Sequence, residues 1–159
     1  MKDNRKRLEA AYAEHRTAVY HTALAFCKNA ATAEDVMQDV FISLYNEWEQ
    51  NKTVRHLRAW LLTATRHRCT NLLRDGKREC PVEDTDTVWN IPVPDETERI
   101  ALRQLLGTLT DEERLPFCLH CLDGYTYREI AAGLGIPQGT VQTRVRSARQ
   151  KLRRALREL

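Results

Sequence analysis

The chain has 159 residues, of which 42% are hydrophobic and 30% are charged, so it can form one ordinary domain or two small ones. Its formal net charge of +3 indicates no partner by itself, but lysine and arginine are absent between Glu79 and Glu98 while residues 144–157 are densely basic. No apolar run approaches the roughly 20 residues that span a bilayer, and no secretory signal follows the charged first residues. We therefore expect a cytoplasmic protein without membrane insertion. The five cysteines lack the spacing of a disulfide framework, which favours reduced thiols.

Three helices are predicted in the first half of the chain. The first covers about residues 6–28, where apolar residues recur at helical spacing. The second starts at Thr32, whose hydroxyl can cap the helix together with Asp35, and continues to about residue 48. After a short polar loop, the third covers about residues 57–75. These three helices indicate a small helical domain in the first half of the chain.

The composition changes near residue 79 and again near residue 98. The segment 79–98 is acidic and contains three prolines, which indicates a linker. Beyond it the pattern is helical again, and no alternating run is long enough for a sheet. The predicted fold is all-α, with two small helical domains, residues 1–78 and 99–159, joined by this linker.

Local signals place the helices of the second domain. Thr110 with Glu113, and Thr126 with Glu129, form capping-box patterns that mark two helix starts. Pro116 lies inside the first of these helices, where it removes a backbone hydrogen bond, so that helix is expected to be kinked or to begin late.

A helix-turn-helix pattern closes the chain. A short helix over 126–134 is followed by a tight connection containing Gly135 and by a helix that Pro137 can start. One face of the last helix is apolar and is predicted to be buried: Val141, Val145, Ala148, Leu152, Ala155 and Leu156. The opposite face is polar and basic: Thr143, Arg146, Ser147, Gln150 and Arg154. Short polar side chains flanked by arginines suit reading of a DNA major groove. The alternative, a solvated basic helix or a coiled-coil arm, accounts less well for the capped helix and turn before it.

The second predicted helix has an acidic side. Its buried side is predicted to comprise Val36, Met37, Val40, Phe41, Leu44 and Trp48. The other side presents Asp35, Gln38 and Asp39 around Ile42, which suits contact with a basic protein partner. A single exposed apolar residue also occurs without any function.

The third predicted helix combines aromatic and cationic groups. It is expected to bury Leu57, Leu61, Ala64 and Leu72 and to present Trp60, Thr63, Arg66, His67, Thr70 and Arg74. Such a face suits single-stranded nucleic acid, because bases stack on rings and phosphates meet guanidinium groups. The alternative is that Trp60 is a core residue.

These segments together resemble an extracytoplasmic-function sigma factor, a promoter-recognition subunit of bacterial RNA polymerase. The resemblance lies in "ATAEDVMQDVF", in "RAWLLTATRHRCTNLLRD", and in the stretch from "LTDEERL" to "RQKLRRAL". It covers nearly the whole chain, in the family's order and spacing.

The resemblance assigns a role to each face. Contact with the clamp helices of the polymerase β′ subunit is implied for Asp35, Gln38, Asp39 and Ile42. Opening and holding of the −10 element is implied for Lys52, Arg55, Arg58, Trp60, Thr63, Arg66, His67, Thr70 and Arg74. Reading of the −35 duplex is implied for Gln138, Thr140, Gln142, Thr143, Arg144, Arg146, Ser147 and Arg149. The same domain would lean on the β flap, and the acidic linker would follow the RNA path inside the enzyme.

The chain departs from the family pattern at several positions. His67 stands where asparagine is usual and Asn71 where aspartate is common. In the reading helix, Gln142 replaces a basic residue and Ser147 replaces an arginine, whose role Arg146 could take over. The promoter preference of the family therefore does not transfer to this chain.

Other functions are less well supported by the sequence. Cys118 and Cys121 with His120 between them suggest a metal site, but a single pair is weak, and at this spacing both thiols are expected on one buried helix face with Leu115 and Leu122. No catalytic motif, metal site or cofactor site is predicted, so the protein is not expected to be an enzyme. The alternative function is a free-standing helix-turn-helix repressor or activator. A cognate anti-sigma factor is expected to hold the two domains together and can keep the protein at the membrane.

Overall fold

The computed structural model describes residues 2–75 and 95–158, and within these ranges the chain is helical throughout, apart from short connections. Its elements, in chain order, are α1 (Lys2–Cys27), α2 (Ala30–Glu49), α3 (Leu57–Arg74), α4 (Glu96–Leu106), α5 (Asp111–Phe117), a π-helical turn (Cys118–Leu122), α6 (Tyr127–Leu134) and α7 (Gln138–Arg157). The all-α prediction, with a carboxy-terminal helix-turn-helix, is confirmed.

Helices α1, α2 and α3 pack around one apolar core in the first half of the chain. The predicted buried side of α2 is confirmed, since all six of its residues are buried. The helix begins at Ala30 rather than Thr32, because the Asn29 side chain accepts a hydrogen bond from the Thr32 backbone N–H at 3.0 Å and caps the helix. The capping residue is therefore Asn29 and not Thr32, the residue predicted from the sequence.

Both capping boxes of the second half are present. The Thr110 hydroxyl accepts a hydrogen bond from the Glu113 N–H, and the Thr126 hydroxyl accepts one from the Glu129 N–H. In each box the glutamate carboxylate accepts a hydrogen bond from the backbone N–H of the threonine. Helix α5 starts at Asp111, so the late start considered for it is wrong. After Pro116 the helix instead changes to a π-helical turn, in which the Asp123 N–H bonds the Cys118 carbonyl at 3.0 Å.

The helix-turn-helix forms at the predicted place. Helix α6 ends at Gly135, which adopts a left-handed conformation with φ of 71°. Pro137 stands just outside α7 as its N-cap residue rather than as its first helical residue. Val141, Val145 and Ala148 are fully buried, as predicted, but Leu156 is 55% exposed. Leu152 and Ala155 are only partly buried, so burial of the apolar face declines towards the end of α7.

The predicted linker lies mostly outside the described residues. Its last part is described: α4 starts at Glu96, inside the expected bounds of the linker, and Asp95 caps this helix by accepting the Thr97 N–H at 2.9 Å. Among the described helices, none has the length and apolarity needed to cross a membrane.

Candidate polymerase and nucleic-acid interfaces

The acidic patch of α2 has the predicted composition. Asp35 and Gln38 are exposed, and Ile42 is 58% exposed. Asp39 is only half-exposed, because it accepts a hydrogen bond at 2.9 Å from the guanidinium of Arg68 on α3. The patch therefore continues onto α3, and its central carboxylate is already oriented by a cation.

The side chains assigned to the −10 element, on α3 and in the loop before it, fall into two groups. Five of the nine side chains predicted to meet the −10 element are exposed: Lys52, Arg55, His67, Thr70 and Arg74. Trp60 is half-buried and packs against the apolar core, so the core alternative describes its position in part. Arg58, Thr63 and Arg66 contact the second half of the chain, whereas Thr63 and Arg66 were expected to face solvent.

Helix α3 packs against α6 through a close approach at Gly133. A Cβ atom on Gly133 would lie 2.4 Å from the Cβ of Leu62, which is fully buried in this contact. The Gly133 carbonyl accepts hydrogen bonds from Arg66 Nε at 3.2 Å and from the Thr63 hydroxyl at 3.5 Å. The absence of a side chain at Gly133 thus lets the two halves meet at the backbone of α6.

Arg58 forms the second part of this contact. Its guanidinium donates to the Gly124 carbonyl at 3.0 Å and to the Glu129 carboxylate at 3.4 Å, and it lies 5.1 Å from the centre of the Tyr125 ring. A fourth group near this guanidinium is the Glu14 carboxylate on α1, at 3.6 Å. Arg58, Thr63 and Arg66, all predicted to bind DNA, are therefore hydrogen-bonded to the second half of the chain.

Two histidines of α1 also contact the second half of the chain. His15 Nδ1 lies 2.9 Å from the Tyr125 hydroxyl, and His21 Nδ1 lies 3.5 Å from the Asp123 carboxylate, with both imidazoles buried. Burial lowers the pKa of His15, which favours its neutral form, and raises the pKa of the Tyr125 phenol. Sequence reasoning missed these residues, although His15 shares an otherwise apolar face of α1 with Ala11, a detectable signal.

The first half of α7 presents the predicted reading face. Five of the eight side chains assigned to the −35 element are exposed: Gln138, Gln142, Thr143, Arg146 and Arg149. Thr140 and Arg144 are half-buried, and Arg144 lies 3.8 Å from the Glu112 carboxylate. The apolar seam of α7, formed by the buried Val141, Val145 and Ala148, holds this face outward.

Ser147 does not face solvent as predicted. Its hydroxyl donates to the Glu113 carboxylate, which also accepts from Lys151 Nζ at 2.7 Å and from the Thr110 N–H at 3.0 Å. Burial by itself raises the pKa of Glu113, but the hydrogen bonds from Lys151, Ser147 and Thr110 outweigh it and lower the pKa to about 2. Glu113, which sequence reasoning recognised only as a cap, therefore joins α5 to α7.

The two cysteines of the π-helical turn do not share a buried face. Cys118 is fully buried and burial raises its pKa, whereas Cys121 is exposed with its Sγ 3.6 Å from an Arg149 nitrogen. Leu122 is also exposed. The expectation of a common face is wrong because the turn has π-helical rather than α-helical spacing. In residues 2–75 and 95–158, no three His, Cys, Asp or Glu side chains are grouped as metal ligands would be.

Comparison with known proteins identifies both halves of the chain. The family model for sigma-70 region 2 matches residues 11–79, and that for sigma-70 region 4 matches residues 99–159. The chain therefore belongs to the sigma-70 family, whose members bind core RNA polymerase and promoter DNA.

The relatives narrow the class to the extracytoplasmic-function sigma factors. The chain is 31% identical to the sigma factor SigL of Mycobacterium tuberculosis, over 96% of this chain and 90% of SigL. It is 27% identical to the sigma factor CarQ of Myxococcus xanthus, over 95% and 90% of the two chains. The fold superimposes on the sigma factor RpoE of Bartonella quintana, solved in complex with the anti-sigma factor NepR, with a TM-score of 0.67, 25% identity and coverage of 99% and 98%. The protein is an alternative sigma factor that acts in transcription initiation, as its resemblance implied.

Proposed function

We propose that the two halves divide promoter recognition between them. The domain over residues 1–78 would bind the polymerase clamp and open the −10 element, and the domain over residues 99–159 would read the −35 element. The segment 79–98, shortened at its end by the start of α4, would follow the RNA path inside the enzyme. The polymerase supplies the chemistry, so this chain needs no catalytic group of its own.

The observation that carries this proposal is the orientation of α7. Its start is set by the left-handed Gly135 and by Pro137, and the buried Val141 and Val145 direct Gln142, Thr143 and Arg146 outward. Side chains of this kind at the start of an exposed helix suit base edges, while Arg149 at the side of the face suits phosphate.

The acidic patch of α2 supports the assignment of the clamp-binding surface. It offers two exposed polar residues, one oriented carboxylate and the apolar Ile42 in a continuous surface. A basic partner helix would gain orientation from the carboxylates and buried area from the isoleucine. We assign Asp35, Gln38, Asp39 and Ile42 to this contact.

The −10 assignment requires a rearrangement. Arg58, Thr63 and Arg66 become available to a DNA strand only after their bonds to the second half are broken. We infer that the two halves separate when the protein joins the polymerase. The exposed Lys52, Arg55, His67, Thr70 and Arg74 are the groups that a strand can reach before separation.

We further propose that an anti-sigma factor controls this protein. The solved relative RpoE is bound to such a factor, and the closed packing seen here offers both halves to one partner. The site of action is the cytoplasm, where polymerase and promoters are located, and the anti-sigma factor can hold the complex at the membrane.

A transcription experiment tests the proposed function. Purified protein and bacterial core RNA polymerase would be incubated with sheared genomic DNA, and transcript starts would be mapped by sequencing. Discrete new starts that share a two-part upstream motif are expected. Absence of such starts, together with tight binding of duplex DNA by the protein alone, would instead favour the repressor function.

A further inference from the structure

One buried carboxylate joins the start of α5 to the middle of α7. Glu113 is only 7% exposed and lies 34 residues before Ser147 in the chain. Its two oxygens are shared between α5, through Thr110, and α7, through Ser147 and Lys151. Ser147 and Lys151 are one helical turn apart, so Glu113 holds α7 at two successive turns.

The apolar seam alone does not set the rotation of α7 this sharply. Contacts between Val141, Val145, Ala148 and their neighbours are non-directional, whereas hydrogen bonds to a carboxylate are limited in distance and angle. A rotation of α7 by about 20° would move its side-chain ends by about 2 Å, given a helix radius of about 6 Å with side chains. That displacement is large enough to break a hydrogen bond to a base edge.

Arg146 is the neighbour most sensitive to such a rotation. It precedes Ser147 directly, is exposed, and lies on the reading face between Thr143 and Gln150. Because Ser147 is held by Glu113, the direction in which Arg146 leaves the helix is fixed relative to α5.

We propose that Glu113 is a positioning residue for −35 recognition: it sets the rotation of the reading helix through Ser147 and Lys151, and Ser147 serves as an anchor rather than as a base-reading side chain. The proposal rests on the proposed −35 function of α7. It assigns the specificity of this chain to Glu113 acting through α7, in addition to the side chains that touch DNA.

The test measures base preference rather than stability. Holoenzyme assembled from this chain and bacterial core RNA polymerase would transcribe a promoter library with a randomised −35 element, and sequencing would give the preference at each position. Glu113→Gln preserves an acceptor for the Thr110 cap but loses the charge opposite Lys151. The variants would be Glu113→Gln, Ser147→Ala, their combination, and Lys151→Gln. The exposed carboxylate of Glu9 on α1, to which the proposed function gives no role, provides the control, Glu9→Gln.

Glu113→Gln is expected to lower the preference for the best base over its alternatives by about threefold to tenfold. This is less than the full discrimination between bases that one good base contact provides. Ser147→Ala is expected to have a smaller effect that disappears in the Glu113→Gln background. With one amide oxygen kept for Thr110, the oxygen that accepts from Ser147 becomes an NH2 group, so both changes remove the bond that Ser147 donates. Lys151→Gln leaves both the cap and the Ser147 bond in place. Lys151→Gln should therefore lower the base preference at the same −35 positions, and it can be measured even if Glu113→Gln fails to fold.

Three results would overturn the proposal. Unchanged preferences in Glu113→Gln, with only a lower melting temperature, would make Glu113 purely structural. If Glu113→Gln does not fold, unchanged preferences in Lys151→Gln would have the same meaning. Loss of preference at a single base pair in Ser147→Ala, adding independently to Glu113→Gln, would make Ser147 a reader. A wild-type holoenzyme that transcribes without any −35 preference would instead contradict the proposed function of α7.

Discussion

A single methyl group at Gly133 should separate the two halves of the protein. In Gly133→Ala the new Cβ would lie 2.4 Å from the Cβ of Leu62 and 2.8 Å from its Cδ1, whereas carbon atoms pack best at about 3.5 to 4.0 Å. The Leu62 Cβ is attached to the backbone and cannot move by a change of rotamer, so α3 and α6 must move apart by about 1 Å.

The energetic effect follows from this displacement. Overpacking costs about 1 to 3 kcal/mol, and the hydrogen bonds from Arg66 and Thr63 to the Gly133 carbonyl, each contributing about 0.5 to 1.5 kcal/mol, would be weakened or lost. A loss of about 3 kcal/mol lowers the ratio of closed to open molecules roughly a hundredfold. Within α6 itself, alanine is favoured over glycine by about 1 kcal/mol, so the second domain should remain folded.

Small-angle X-ray scattering on the free protein measures the outcome. Gly133→Ala is expected to have a larger radius of gyration than wild type while its helical circular dichroism is unchanged. The control is Gly139→Ala, since a Cβ on this helical glycine would have no atom within 4 Å, and it should leave the scattering curve unaltered. If both variants scatter like wild type, the Gly133–Leu62 approach does not hold the halves together and the reasoning fails.

Three further predictions concern single side chains. Asp39→Arg should weaken binding to core polymerase in a pull-down titration, while Arg68→Ala, which breaks the same ion pair, should bind nearly normally; equal losses would mean that the effect comes from the fold. Arg146→Ala should reduce discrimination at one −35 base pair by about 1 to 3 kcal/mol in duplex competition assays, and a uniform loss over all sequences would assign it to phosphate. Because the folded-state pKa of Glu113 is lowered to about 2, its contribution to stability is complete above the ordinary value of 4.5 and is lost as the pH falls towards 2. This contribution is of order 3 kcal/mol, so the unfolding free energy in urea should fall more steeply between pH 5 and pH 3 for wild type than for Glu113→Gln, and parallel slopes would contradict the assignment.

Local signals carried most of the predictable structure. The capping boxes at Thr110 and Thr126, the left-handed Gly135 and the apolar seam of α7 are each set by residues a few positions apart. Short-range hydrogen bonds and helical spacing decide such features, and both are visible in the sequence. The helix-turn-helix could therefore be located from the amino-acid sequence alone.

Features that depend on distant residues could not be predicted in this way. Ser147 has the spacing of an exposed residue, and only the position of Glu113 on another helix turns it inward. Thr63 and Arg66 have the pattern of a solvated face, and only the packing of α6 covers them. The π-helical turn separated Cys118 from Cys121 because its spacing differs from the one that sequence patterns assume.

The contact between α3 and α6 has a consequence for inhibition. The donors of Arg58 and Arg66 that bond the second half of the chain are not available to a DNA strand at the same time. On the proposed function, the second half is thus a competitive inhibitor of the −10 surface, covalently linked to it and present at a constant effective concentration. A regulator that bridges the halves would raise the apparent dissociation constant for DNA by reducing the open fraction, without covering any DNA-binding side chain itself. Polymerase and regulator would then be antagonists on one intramolecular equilibrium.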